Sequence, residues 1–130
     1  MAGSSERKVD RLVIVVWSAG PERAVQAAAP FVYALAARAL EAPVEMHFTS
    51  TAVRWLIAAV ADGAYTDAEC TKTVADFLRE VKAAGVRLYA CSMAMNEQGR
   101  GEALIPECDG DAGAATVVAA TMQRVKSLVF

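Results

Sequence analysis

The chain has 130 residues, enough for one domain with a single core, and 55% of them are hydrophobic, a surplus that favours burial in an oligomer. A formal net charge of −2, with apolar runs too short for a membrane span or signal peptide, argues against nucleic acid and the bilayer and predicts a soluble, cytoplasmic protein. Three cysteines without CxxC spacing and a single histidine exclude a secreted disulfide scaffold, a zinc ribbon and a histidine-rich metal site.

The first third of the chain predicts two buried strands joined by a helix. Residues 1–10 are polar and charged, and we expect them to form a flexible tail. The continuous β-branched run at residues 11–18 is typical of a strand buried on both faces, hence of a parallel one. A helix is expected over residues 21–42, kinked or broken at Pro30 because proline removes a helical hydrogen bond, with a second strand over residues 44–49.

The middle of the chain predicts two further helices and a third strand. Residues 51–61 carry apolar side chains at helical spacing. Residues 66–69, Thr-Asp-Ala-Glu, match a capping box and predict the start of a helix. That helix would place Cys70 on its packing face and end at Gly85, before a strand over residues 86–90.

The last part of the chain continues the alternation of helices and strands. A helix is expected over residues 114–124 and a final strand over residues 126–130. Strands that alternate with helices predict an α/β fold, a three-layer sandwich with a mostly parallel sheet. We expect residues 11–130 to form this single domain.

Cys91 is the strongest candidate for a reactive group. It follows the apolar strand residues 86–90, and open parallel sheets bind their ligands at the carboxyl ends of strands. If a helix opens directly after it, backbone N–H groups point at the sulfur and lower the pKa of the thiol. The alternative is a small buried hydrophobe, since free cysteine is among the most buried residue types.

Cys108 is a possible secondary thiol. It lies in a polar loop with Glu107, Asp109 and Asp111, whose like charges would raise the pKa of the thiol. We interpret it as an incidental loop cysteine, with a resolving partner for Cys91 as the alternative. The acidic side chains lack the spacing of a calcium loop, and residues 110–113 lack a complete phosphate-binding motif.

Four further residues are possible pocket or tuning groups. His47 ends the second strand, either satisfied by a backbone carbonyl or placed beside the thiol pocket. Ser92, Met93 and Met95 follow the cysteine, and methionine fills irregular apolar gaps in a pocket or an interface.

Three sequence blocks carry a resemblance to a known family. They are residues 85–95, which include Tyr-Ala-Cys-Ser-Met-Ala-Met, then residues 101–106 and 113–116. Together they resemble the DsrE/DsrF-like sulfur-transfer family, and the similarity covers nearly the whole chain after residue 10. One departure is Thr49-Ser50-Thr51-Ala52, where many relatives have a glycine.

The resemblance implies a flavodoxin-like, DsrEFH-like sandwich that assembles as homotrimers or hexamers. It also implies that Cys91, which matches the family's cysteine position, carries sulfane sulfur as a persulfide in exchange with TusA-like or rhodanese-like sulfur-transfer proteins.

The sequence therefore predicts a cytoplasmic sulfur carrier or sulfurtransferase that works in sulfur trafficking or oxidation through Cys91, without a metal or an organic cofactor. One alternative is a non-catalytic subunit of a DsrE-like oligomer, in which Cys91 only packs. Another is a flavin- or nucleotide-binding module, which rests on fold analogy alone.

Overall fold

Five parallel strands form one sheet in the computed structural model, which describes residues 11–123 and 125–130. The strands are β1 (Arg11–Val16), β2 (Val44–Phe48), β3 (Arg87–Cys91), β4 (Gly110–Ala112) and β5 (Val125–Val129). Their order across the sheet is β4-β3-β2-β1-β5, and each neighbouring pair is parallel. The predicted α/β sandwich is confirmed, whereas the tail predicted for residues 1–10 lies outside the described residues.

Helical segments connect the strands. They are a 3-10 helix (Pro21–Ala27), α1 (Ala28–Ala39), a second 3-10 helix (Ser50–Leu56), α2 (Val74–Ala83), α3 (Ser92–Gln98) and α4 (Ala114–Thr121). The predicted kink at Pro30 is wrong. Pro30 lies in the first turn of α1, where its missing N–H would have no helical partner, and the break falls upstream at Arg23, with φ −133 and ψ 49.

The capping box lies seven residues beyond the predicted position. The Thr73 side chain accepts from the Asp76 N–H at 3.0 Å, and the Asp76 carboxylate accepts from the Thr73 N–H at 2.9 Å. Thr66 instead donates to the Lys72 carbonyl within the preceding loop. Cys70 is therefore not on a helix face as predicted, but exposed in that loop with a φ of 54.

One face of the sheet carries the main core. Side chains such as Ile14, Met46 and Leu88 are fully buried beneath α1, α2 and the second 3-10 helix. Trp55 on that 3-10 helix is also fully buried, and its indole N–H donates to the Ala19 carbonyl at 2.6 Å. These contacts fix the ends of β1 and β2 against each other.

The opposite face of the sheet is polar at one end and apolar at the other. The alternate residues of β1, β2 and β3 point to it: Arg11, Val13, Val15, Glu45, His47, Arg87, Tyr89 and Cys91. Helix α4 forms the third layer over the carboxyl ends of the strands, where it encloses a cavity. We call this side of the sheet the α4 face.

The chain changes sides of the sheet between β3 and β4. Helix α3, which follows β3, packs on the second 3-10 helix on the core side, whereas α4, which follows β4, lies on the other side. Such a change opens a crevice at the carboxyl ends of the two strands, the usual ligand site of open parallel sheets. None of the helices described is long and apolar enough to span a bilayer.

Candidate functional site

Cys91 stands at this crevice. It is the last residue of β3 and the N-cap of α3, with extended backbone angles of φ −67 and ψ 121. Its side chain is half-buried and not in a disulfide. A helix therefore does begin directly after the thiol, which was the condition for backbone N–H groups to lower its pKa.

The thiol opens into a small cavity of about 180 Å³ between the sheet and α4. Its lining consists of Val15, His47, Thr49, Cys91, Ala112, Gly113, Ala114, Val117 and Val118. Apart from His47, Thr49 and the thiol itself, the side chains of this lining are apolar. The cavity is thus a poorly hydrated space with three polar side chains on its sheet side.

Hydrogen bonds favour the thiolate form of Cys91. Burial alone would raise the pKa of the thiol, but the Thr49 hydroxyl and the backbone N–H groups of Ala94 and Met93 donate to the sulfur. These bonds outweigh burial and hold the pKa of Cys91 below its ordinary value. The sulfur is therefore primed as a nucleophile in an apolar surround.

Thr49 is the residue of the site that sequence reasoning missed. It directly follows β2 in extended conformation, with φ −133 and ψ 175, and its N–H donates to the Val16 carbonyl. Phe48 pairs with Ala90, so the next residue on each strand brings Thr49 beside Cys91 on the α4 face. The strand register would have identified it, but register is not readable from either strand alone.

His47 is held by a row of charged groups. It is only 4% exposed, and its Nε2 lies 3.1 Å from Glu45 Oε1, which lies 3.5 Å from Arg11 Nε. The imidazole also stacks on Tyr89, with ring centroids 5.1 Å apart. The structure thus places His47 in the Cys91 cavity with a fixed orientation, bonded to a carboxylate rather than to a backbone carbonyl.

The other two thiols lie away from this cavity lining. Cys108 is half-buried and its Sγ donates to the Gly110 carbonyl at 3.3 Å. Burial is the main cause that raises the pKa of Cys108, and Asp109 and Asp111 raise it further. Cys108 is therefore a poor nucleophile at neutral pH.

The sequence of this chain also matches a known protein family. The DsrE/DsrF-like family matches residues 11–129. The chain belongs to the DsrE/DsrF-like family. Membership indicates a function related to sulfur transfer, and a comparison with curated proteins found no match.

Two solved structures share the fold of this DsrE/DsrF-like chain. The YchN protein of E. coli aligns with a TM-score of 0.74 and 17% identity, covering 92% of this chain and 99% of its own. MTH1491 from Methanobacterium thermoautotrophicum, described as a protein of unknown function, aligns with a TM-score of 0.64 and 19% identity, covering 92% and 98%. At these identities the likeness shows the fold alone.

Ser92, Met93 and Met95, which follow Cys91, do not line its cavity with their side chains. Met93 is 73% exposed, and Met95 is half-buried against the core. Ser92 lies beside Gly113, where a Cβ would stand 3.7 Å from the serine Oγ. The contribution of Met93 to the site is its backbone N–H.

The loop after Thr49 keeps a glycine-like conformation. Ser50 has a φ of 52, in the left-handed region that favours glycine. The serine thus accepts the strained angle, and Thr49 stays beside Cys91. Within the described residues, no group of three or more His, Cys, Asp or Glu side chains could hold a metal ion.

Proposed function

We propose that this protein is a sulfur carrier or sulfurtransferase that holds sulfane sulfur as a persulfide on Cys91. The observation that carries the proposal is the Cys91 sulfur itself. It combines a lowered pKa, three hydrogen-bond donors and an apolar cavity large enough for additional sulfur. Family membership supports sulfur transfer as the class of reaction.

The transfer step needs no external oxidant. The Cys91 thiolate attacks the outer sulfur of a donor persulfide, so that a new S–S bond forms and the donor S–S bond breaks. The electron pair of the broken bond leaves with the donor sulfur, which departs as a thiolate. In the reverse sense, an acceptor thiolate removes the outer sulfur and Cys91 is restored.

The surrounding groups suit a bound persulfide. Apolar side chains such as Val117 shield the outer sulfur from stray reductants, while the N–H groups and Thr49 stabilise negative charge on Cys91. His47, oriented by Glu45, offers a polar contact on the sheet side of the same cavity. It acts as a positioning residue for the incoming sulfur.

The partners of this reaction are other proteins that carry sulfur. TusA-like or rhodanese-like carriers in the cytoplasm would supply or receive it, as expected from the family. We further propose that the chain assembles as a homotrimer or a hexamer. Exposed apolar side chains on α4 and just after it, Val118 and Met122, support such an assembly.

Intact-mass analysis after exposure to polysulfide tests the proposal. In a Cys70→Ser background, which removes the exposed competing thiol, the chain should gain the mass of sulfur, reversibly with a reductant, and adding Cys91→Ser should abolish the gain. The matched control, Cys108→Ser in the same background, should load like its parent. Equal loading of Cys91→Ser would overturn the carrier role, and absence of loading in all chains would favour a non-catalytic subunit.

A further inference from the structure

A second hollow lies at the amino-terminal ends of β1, β2 and β3, between the α4 face and the end of α1. It is open to solvent and has a volume of about 440 Å³. Its lining consists of Arg11, Arg38, Pro43, Val44, Glu45, Gly85, Arg87 and Tyr89. We call it the arginine hollow. Among the described residues, its lining and that of the Cys91 cavity have no member in common.

Three elements contribute one guanidinium each to the arginine hollow. Arg38 comes from the end of α1, and its Nε and Nη1 donate to the Ala84 and Ala42 carbonyls at 2.8 and 3.0 Å. These two bonds hold the guanidinium in place and leave its Nη2 outside them. Gly85 lies beside this guanidinium, and its φ of 95 is in the left-handed region that favours glycine.

Arg11 is incompletely satisfied in the arginine hollow. Its Nε is buried and has no hydrogen-bond partner among the described residues. The Glu45 Oε1 atom lies 3.5 Å away, beyond good hydrogen-bond geometry, and the same oxygen bonds His47 at 3.1 Å. Because Nε is buried, a ligand in the open hollow would meet the accessible part of the Arg11 side chain, which is 32% exposed, rather than Nε itself.

The charge balance of the arginine hollow is positive. Its lining has three arginines and one carboxylate, Glu45, within a chain whose formal net charge is −2. Arg87 is the exposed member at the mouth, and its guanidinium hydrogen-bonds the Tyr89 hydroxyl. The nearby Asp109 is paired with Lys82. An excess of two positive charges therefore faces the solvent in this hollow.

We propose that the arginine hollow binds a doubly charged tetrahedral oxyanion of the phosphate or sulfate type. Planar guanidinium groups donate paired N–H bonds to such oxygens. The guanidinium of Arg38 is held in one orientation by its bonds to the Ala84 and Ala42 carbonyls, so less entropy is lost when it binds an anion. The volume exceeds what a single ion needs, so the oxyanion can be free or part of a larger ester. The hollow has a lining of its own, but Glu45 and Tyr89 in that lining also contact His47 of the Cys91 cavity.

Calorimetric titration at constant ionic strength tests the site, with inorganic phosphate in one arm and phenyl phosphate in the other. Saturable binding is expected with wild type in at least one arm. Tighter binding of the ester would identify an esterified ligand as the source, and equal or tighter binding of inorganic phosphate would identify the free ion.

The variant Arg87→Gln should weaken binding about tenfold or more, because it removes a charge-assisted donor. Arg11→Gln should do the same and serves if Arg87→Gln fails to fold. The matched control is Arg79→Gln, an exposed arginine paired with Asp76 on α2. No saturable heat in either arm, or equal affinity in Arg87→Gln and Arg79→Gln, would overturn the proposal.

Discussion

The Cys91 thiolate depends on one hydroxyl as well as on backbone groups. The N–H groups of Met93 and Ala94 come with any helix that begins after Cys91, but Thr49 reaches the sulfur from the neighbouring strand. Thr49 can therefore be altered without changing the local fold of the cysteine. It offers a direct way to separate the chemistry of the thiol from its position.

Replacing Thr49 with valine should make Cys91 less reactive. The variant keeps the shape of the side chain but loses a hydrogen bond to a charged sulfur, worth about 1.5–3 kcal/mol. We expect the rate of alkylation at Cys91 to fall about tenfold or more at pH 7, with its pH midpoint moving upward. Mass spectrometry of each cysteine peptide measures this rate, and Cys70→Ser removes the exposed competing thiol.

The matched control is Thr116→Val on α4, whose side chain is exposed and outside the cavity lining. It should alkylate like wild type. An unchanged rate and pH midpoint in Thr49→Val would show that backbone N–H groups alone set the ionisation of Cys91.

How much of the site can be read from the sequence depends on the distance between its parts along the chain. Cys91 could be predicted because its strand and the following turn are contiguous in sequence. Thr49 could not, because it meets Cys91 only through the register of two strands 42 residues apart in sequence. The orientation of His47 likewise depends on Glu45 and Tyr89, which only the folded sheet brings to it.

Strand β4 is the element that was hardest to predict from the sequence. It has only three residues, includes a glycine, and follows an acidic loop that is typical of a solvated turn. Asp109 holds it in place, since its carboxylate accepts from the Leu88 N–H at 2.8 Å and pairs with Lys82 of α2. Helices with strong local sequence signals were easier to predict, although the capping box forms at Thr73 and Asp76 and not at Thr66.

Replacing Asp109 with asparagine should destabilise the sheet edge in a pH-dependent way. Burial would raise the pKa of Asp109, but Lys82 and the Leu88 N–H outweigh it and lower the pKa. The ionised carboxylate therefore stabilises the fold above its unfolded pKa of about 4, and this contribution is lost as the pH falls through the lowered pKa.

We expect Asp109→Asn to lower the free energy of unfolding by about 1 kcal/mol at pH 7, with the difference from wild type shrinking below pH of about 4. Urea unfolding at a series of pH values measures it. Asp111→Asn, an exposed carboxylate on β4, is the control and should change stability little. A difference that is constant with pH would contradict the role of the ionised group.

At the scale of the whole molecule, the α4 face is only partly covered. One short helix lies over it, and the side chains of Val118, Met122 and Val129 remain 57%, 82% and 63% exposed. Apolar groups this exposed are typical of a surface that contacts another subunit.

Replacing Val118 with aspartate should disrupt the proposed oligomer, because a charge would be buried without a partner at the interface. Light scattering of the wild type should give about three or six times the 13.7 kDa chain mass, and the variant should approach the monomer mass. Leu40→Asp, at an 84% exposed position after α1, is the control and should leave the assembly intact. A wild type that is monomeric at micromolar concentration would reject the oligomer.

The pairing of the first and last strands has a kinetic consequence. Strand β1 lies between β2 and β5, and the Phe130 N–H donates to the Val15 carbonyl, so contacts more than 110 residues apart along the chain complete the sheet. Closing so long a loop is entropically costly and slows folding. During synthesis, the backbone N–H and C=O groups on one edge of β1 therefore stay unpaired until β5 has left the ribosome. A nascent chain that stalls before residue 125 would expose this edge to aggregation or to a chaperone.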